Sequence, residues 1–215
     1  IVITDNLDSD LDWNTLSIGE VAWGEQVADS LAGLSTGSVV VSLPACEAAP
    51  GVIVPMDLHI DVDYDSASGH IEWRLTAIDP RTGEVPSGEQ GEDFCGFLPP
   101  NDATGRGEGH ISFTIQPKSG LPTGTQIANT ATIVFGIHPP ITTNTWTNTL
   151  DTGAPSSSVT SADPVATGAC ARLVSWSGLD DSGGSGINDY TVYVSVDDGP
   201  DYVWLANTTA TSSTF

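Results

Sequence analysis

The sequence predicts an all-β protein made of two antiparallel β-sandwich domains in tandem, the second of them incomplete. Three observations lead there. Apolar and polar residues alternate in many short runs, which is the period of a strand with one buried face. Gly (23) and Pro (14) are plentiful and gather between those runs, where tight turns need them. No amphipathic helix of useful length can be traced.

In chain order, "IVITDNLD" at the start reads as a strand and "TGSVVVSL" as another. Within "VIVPMDLHIDVDY", Val52 to Tyr64, side chains alternate with period two. Val54, Met56, Leu58, Ile60, Val62 and Tyr64 face one side, and Pro55, Asp57, His59, Asp61 and Asp63 face the other. "HIEWRLTA" repeats the pattern with Ile71, Trp73 and Leu75 inward. The intervening "DSASG" supplies a turn, so the pair predicts a hairpin. "HISFTI" places Ile111, Phe113 and Ile115 on one face, and "TQIANTATIVF" is expected to form one further strand.

After Asp151 the texture changes. "NTLDTGAPSSSVTSADP" is polar, weakly periodic and rich in Ser, Gly and Pro, which predicts a linker. "ARLVSWSG", "INDYTVYVSV" and "DYVWLANTT" then give the strands of a smaller β-domain. The expected division is residues 1–151 and 152–215. An immunoglobulin-like sandwich needs about seven strands and about 100 residues, more than this second stretch supplies. Both ends fall inside strand-like runs. The chain therefore reads as a piece of something longer, or as a subunit whose open edges at Ile1 and Phe215 meet a neighbour.

Charge narrows the partners. Asp plus Glu total 28 and Lys plus Arg 5, for a formal net charge of -23. Such a surface repels nucleic-acid phosphates and anionic membranes, and it attracts divalent cations. Hydrophobic residues make up 39% of the chain, recurring in periodic runs that acidic disordered chains lack. No apolar run is long enough for a membrane-spanning helix.

The three cysteines are Cys46, Cys95 and Cys170, with no C-x-x-C spacing. Cys46 and Cys95 lie in loop-like segments of the first half and are expected to pair, stabilising by about 3–4 kcal/mol. The alternative is two separate thiols. Cys170 is left as a buried thiol or a partner for something outside this chain.

Several acidic groups are candidates for calcium. Asp8, Asp10 and Asp12 alternate, with Asp5 and Asn6 just before. In a loop, D-x-D-x-D wraps a hard cation with oxygens; on a strand it is a repelling acidic row. The sixth-position Gly and terminal Glu of an EF-hand are absent. "LDDSGGSG" offers Asp180 and Asp181, with Asp189 nearby, and its glycines let carbonyls turn toward an ion. Asp61, Asp63 and Asp65 form a third group. Asp151 shows no partner in the sequence. Each group has a plain alternative as a solvated acidic surface. His59 and His70 flank the predicted hairpin and could meet across it.

Nothing marks an activated nucleophile. G-x-S-x-G, H-E-x-x-H and phosphate-loop motifs are absent, so a non-enzymatic role is expected. Tyr202 and Trp204 in "DYVWLA" suggest an exposed aromatic pair that could stack on sugars, giving a carbohydrate-binding accessory module as the alternative function. Asn207-Thr208-Thr209 is an N-glycosylation sequon.

The stretch "GFLPPNDATGRGEGHISFTIQPKSGLPTGTQIANTATIVFGIHPPITTNTWTNTLD" resembles the C-terminal half of a repeat-type β-sandwich domain of large secreted bacterial surface proteins. Where such domains commonly carry an acidic residue or Asn before "PPI", this chain has Gly136-Ile137-His138. "SSSVTSADP" through "VSWSGLDDSGGSGINDYTVYVSVDDGP" resembles the first half of a fibronectin type III or immunoglobulin-like module. The resemblance implies this architecture and an extracellular placement. Together with the acidic groups and the open edges, the sequence is read as a structural or adhesive module of a large surface or matrix protein, stiffened by calcium and joined by strand addition to neighbouring copies or domains, with surface glycans as further partners.

Overall fold

A computed structural model describes residues 1–86, 95–162, 172–195 and 197–215. Every regular element among them is a β-strand, and the strands pair in antiparallel fashion. The all-β sandwich expectation holds. No helix is long and apolar enough to cross a membrane among the described residues. The chain divides into two compact units. The first comprises Ile1–Ser119 with Ile127–Thr147, and the second Gly120–Gln126 with Asn148–Phe215.

The predicted hairpin forms the centre of the first unit. β5 (Val52–Asp65) pairs with β6 (His70–Ile78), with Ile60 opposite Leu75 and Val62 opposite Trp73. Val54, Met56, Leu58, Ile60 and Val62 are all buried, as are Ile71, Trp73 and Leu75. Gly69 closes the turn at φ +71, and a Cβ there would lie 2.5 Å from the Trp13 ring. Glycine meets both demands. The register sets His59 opposite Thr76 and His70 opposite Asp65, so the two histidines do not meet.

The hairpin belongs to a six-stranded sheet. β1 (Val2–Asn6) pairs on one side with β6 and on the other with β9 (Ala131–Val134). β10 (Ile141–Thr142) closes the β9 edge, and β4 (Gly37–Ala49) closes the β5 edge. The expected open edge at Ile1 is therefore not there: β1 is an interior strand with both sides bonded. Among the described residues the edge strands of this sheet are β10 and β4.

The facing layer contains β2 (Leu11–Trp23), β3 (Gln26–Ala28) and β7 (Gly109–Pro117), in the order β3-β2-β7. Leu11, Leu16, Ile18, Val21 and Trp23 from β2 share one apolar cluster with Leu58, Ile60, Val62, Ile71, Trp73 and Leu75. Trp73 stacks on Phe113 of β7 at 5.7 Å. Burial of these side chains, at about 25 cal/mol per Å² of apolar surface, is what presses the two sheets together.

Residues 125–135 do not form the single strand expected of them. β8 (Gln126–Asn129) pairs with β11 (Trp146–Thr149), whereas β9 pairs with β1 and β10. The chain changes sheet at Thr130, whose hydroxyl donates to Thr145 Oγ1 at 2.8 Å.

Cys46 and Cys95 form a disulfide, closing a sequence separation of 49. It sits in a second cluster with Val54 and Met56, flanked by Leu43 and Ala77. A disulfide fits folding in an oxidising compartment. Cys170 lies outside the described residues.

Asp5 is the unexpected member of the interior, at 3% exposure on β1 with Oδ1 unpartnered. Burial pushes its carboxyl above the ordinary value, opposed by hydrogen bonds from the Asn129 side chain and the Asn6 backbone and by nearby His70. A raised carboxyl binds its proton more tightly in the folded state. Its stabilising contribution is then present in acid and is lost as pH rises from the unfolded value through the folded one. Asp5→Asn is expected to stabilise the protein at neutral pH, where it removes a buried charge, and to change little near pH 3. Urea titrations of both proteins at the two pH values measure that difference.

The second unit has a three-stranded sheet, β12 (Ser156–Ala162), β13 (Leu173–Leu179) and β16 (Ser212–Thr214), in that order. A two-stranded sheet joins β14 (Tyr190–Val194) to β15 (Tyr202–Thr208). The stretch expected to be a linker thus contains a strand: β12 pairs along β13 from Ser156–Leu179 to Ala162–Val174. Backbone pairing outweighs its polar composition. The border between the units also differs from composition. Gly124 N–H donates to Leu150 C=O and Leu150 N–H to Thr125 C=O, each at 2.8 Å. These bonds hold residues 120–126 to the second unit.

Candidate metal site at Asp151, Asp180 and Asp181

Asp151 follows β11, and Asp180 follows directly on β13. Although 29 positions apart in sequence, Asp151 and Asp180 come together because the loop after β13 folds back. Ser185 donates twice to Asp151 Oδ2, from its backbone N–H at 2.9 Å and from Oγ at 2.6 Å. Gly186 N–H donates to Asp180 Oδ2 at 2.7 Å. Gly184 N–H donates to Asp181 C=O at 3.0 Å. One carboxylate oxygen from each of Asp151, Asp180 and Asp181 then lies within 4.8 Å of the others. Among the described residues this is the group of three metal-ligating side chains that converges.

Glycine makes the approach possible. A Cβ on Gly153 would collide with Asp181 Oδ1. One on Gly184 would sit 2.8 Å from Asp180 Oδ2 and 3.1 Å from Asp151 Oδ1. The Ser185 hydroxyl, then its backbone N–H, holds the Asp151 carboxyl below its ordinary value against desolvation. Asp151 is thus fixed in its charged form. Asp180 Oδ1 is buried without a hydrogen-bond partner, a costly arrangement for an anion unless something else meets it.

The geometry suits a hard cation. Two oxygens bound to one Ca²⁺ at 2.3–2.6 Å are at most about 5 Å apart, and Ca²⁺ accepts irregular sets of six to eight oxygens. Three carboxylates supply the charge, and the exposure of Asp151 and Asp181 leaves room for water to complete the shell.

The other candidates are engaged differently. Asp8 Oδ1 accepts from Asp10 N–H and its Oδ2 from Ala128 N–H, both at 2.9 Å. Asp12 Oδ1 accepts from the backbone and side chain of Asn14 at 3.2 Å. With Asp5 buried, the alternating aspartates serve as turn and strand residues. Asp65 caps its own turn through Ala67 N–H and Ser68 Oγ. Asp189 accepts from Asn188 Nδ2 and is not in the converging group. Its place is taken by Asp151, which sequence alone left unpartnered. The available signal was glycine: Gly153 follows Asp151 by two positions, and a glycine-rich run follows Asp181.

Residues 96–149 match the family described as a domain of unknown function, DUF7619. The match spans β7 through β11 and falls on the stretch whose sequence resembles a repeat-type domain; its description assigns no activity. No curated protein and no solved structure shows significant similarity to the chain.

Trp204 does not stand free for stacking. Its ring packs edge-on against Trp176 at 6.3 Å and Phe215 at 5.1 Å, while Tyr202 remains 49% exposed. Asn207 of the sequon is exposed, at φ 50.

Proposed function

We propose that this chain is an extracellular structural or adhesive module, held rigid by a disulfide in one unit and by calcium in the other. The observation that carries the reading is the convergence of Asp151, Asp180 and Asp181 around a buried, unpartnered carboxylate oxygen. A cation there would tie the start of the second unit to the loop after β13. The disulfide does the equivalent work between residues 46 and 95. Both devices clamp backbone to backbone, which is what a load-bearing module requires.

The second unit supports the same reading in another way. Among its described residues Trp176 is the buried hydrophobic side chain, while Val159, Leu179, Tyr193 and Val203 are more than half exposed. Five strands cover less core than the seven of a full sandwich. Strands from a neighbouring domain or copy would cover that surface, most directly beside β16 at the edge of its sheet.

Single-molecule pulling tests the mechanical role. Calcium is expected to raise the force at which the second unit opens, and a chelator to lower it again. The intact disulfide should shorten the first unit's extension by about 170 Å, the length of 49 residues at about 3.5 Å each. Equal opening forces in calcium and chelator would count against the proposal.

A further inference from the structure

Over Gly37–Leu43 the β4 edge of the six-stranded sheet is mostly apolar and carries no charge. Edge strands of soluble proteins are normally blunted by charge, proline or bulges, because their free N–H and C=O groups invite another strand. From Gly37 to Leu43, β4 reads Gly-Ser-Val-Val-Val-Ser-Leu, with no charge or proline. Pairing with β5 is regular over these seven residues and shifts only beyond Leu43. Pro44 then ends the clean edge. Among the described residues β5 is the strand that pairs with β4.

The core beneath this edge is unfinished. Val39, Val41 and Leu43 pack on the central apolar cluster yet stay only partly buried. Their partners on β5, Ile60, Leu58 and Met56, are 0–2% exposed. The difference is what one more strand would remove.

The sequence also identifies the strand that fits. Ser38-Val39-Val40-Val41-Ser42 reads the same in both directions. In an antiparallel pair centred on Val40, Ser38 lies opposite Ser42 of the other strand, Val39 opposite Val41, and Val40 opposite itself. β-Branched valines pack well against their neighbours on a pleated surface, no like charges are set opposite each other, and a two-fold axis gives both copies identical contacts. We propose that Gly37–Leu43 pairs antiparallel with the same strand of a second copy of this chain, about a two-fold axis at Val40, making one continuous twelve-stranded sheet.

Electrostatics allow it here. Two chains of charge -23 repel, and the nearest acidic groups in register with this strand are Asp57 and Asp61 on β5. Across the paired edge the two β5 strands would be three strand spacings apart, about 14 Å. That exceeds the Debye length of about 8 Å at physiological salt. The association therefore strengthens with salt. A seven-residue edge is about 24 Å long, too little for a permanent dimer, so the pair forms and dissociates with concentration. The axis also closes the interface, giving a dimer and not a fibre at this edge.

This surface uses no residue of the candidate calcium site, so either proposal can fail without the other. Sedimentation equilibrium of the whole chain, from about 10 µM to about 1 mM, should show the mass rising toward twice the monomer, more steeply at high salt. Val40→Glu sets like charges directly opposite and should weaken dimerisation tenfold or more. Val40 is 53% exposed, so the variant is expected to fold. In a Cys170→Ser background, Val40→Cys should give a disulfide-linked dimer on mild oxidation, whereas Ser38→Cys should not. A chain that stays monomeric throughout, or a dimer untouched by Val40→Glu, would overturn the proposal.

Discussion

Replacing Cys46 and Cys95 together by serine is expected to lower the stability of the first unit by about 4 kcal/mol. The bond closes a loop of 49 residues, and the chain-entropy relation for a loop of that length gives about 4 kcal/mol at 25 °C. The surroundings add to the loss. Cys95 is 9% exposed and packs with Val54 and Met56, so serine would place a hydroxyl where a sulfur filled apolar space. Urea unfolding of the oxidised protein and the double variant measures the difference. The slope should also increase, because the unfolded chain without its cross-link exposes more surface. A change under about 1 kcal/mol would mean that the unfolded chain keeps these segments together unaided.

Calcium should have the next largest effect, confined to the second unit. Calcium sites of extracellular modules have dissociation constants of about 0.1–1 mM. At about 10 mM calcium and a constant of about 0.1 mM, mass action stabilises the folded state by about 2.7 kcal/mol. The thermal midpoint should rise accordingly and return when calcium is chelated. Gly184→Val tests the geometry, since its side chain would occupy the space next to Asp180 Oδ2 and Asp151 Oδ1; calcium should then produce no shift. Acid should act in the same direction as the chelator, lowering the stability of the second unit. Asp151 has a lowered carboxyl, so its contribution is complete above the ordinary carboxylate value and is lost as pH falls through the lowered one.

How much the sequence revealed depended on the regularity of side-chain alternation. β5 and β6 were legible because period two runs from Val54 to Tyr64 and from His70 to Thr76, and their buried faces are those the pattern marks. β2 was not legible. Its core residues Leu11, Leu16, Ile18, Val21 and Trp23 are unevenly spaced, because its pairing with β7 shifts twice, between Asp12 and Ser17 and between Ile18 and Val21. Each bulge breaks the alternation. Its aspartates then suggested a cation loop, whereas Asp8 is satisfied by backbone N–H groups at positions 10 and 128. β12 was hidden by serine, which carries little hydrophobic signal even when the backbone is fully paired.

The site was half legible. Asp180 and Asp181 stood out beside their glycines, and local sequence correctly suggested a loop able to turn back. What it could not supply was Asp151, brought in by two hydrogen bonds from Ser185 across 34 positions. Neither could it separate Asp189, which lies closer in sequence than Asp151 yet bonds its neighbour Asn188.

Calorimetric titration of calcium into the metal-free chain tests the central claim most directly. One site per chain is expected, abolished by Asp180→Asn and unchanged by Asp8→Asn. Absence of binding, or a site lost with Asp8 and kept without Asp180, would contradict it.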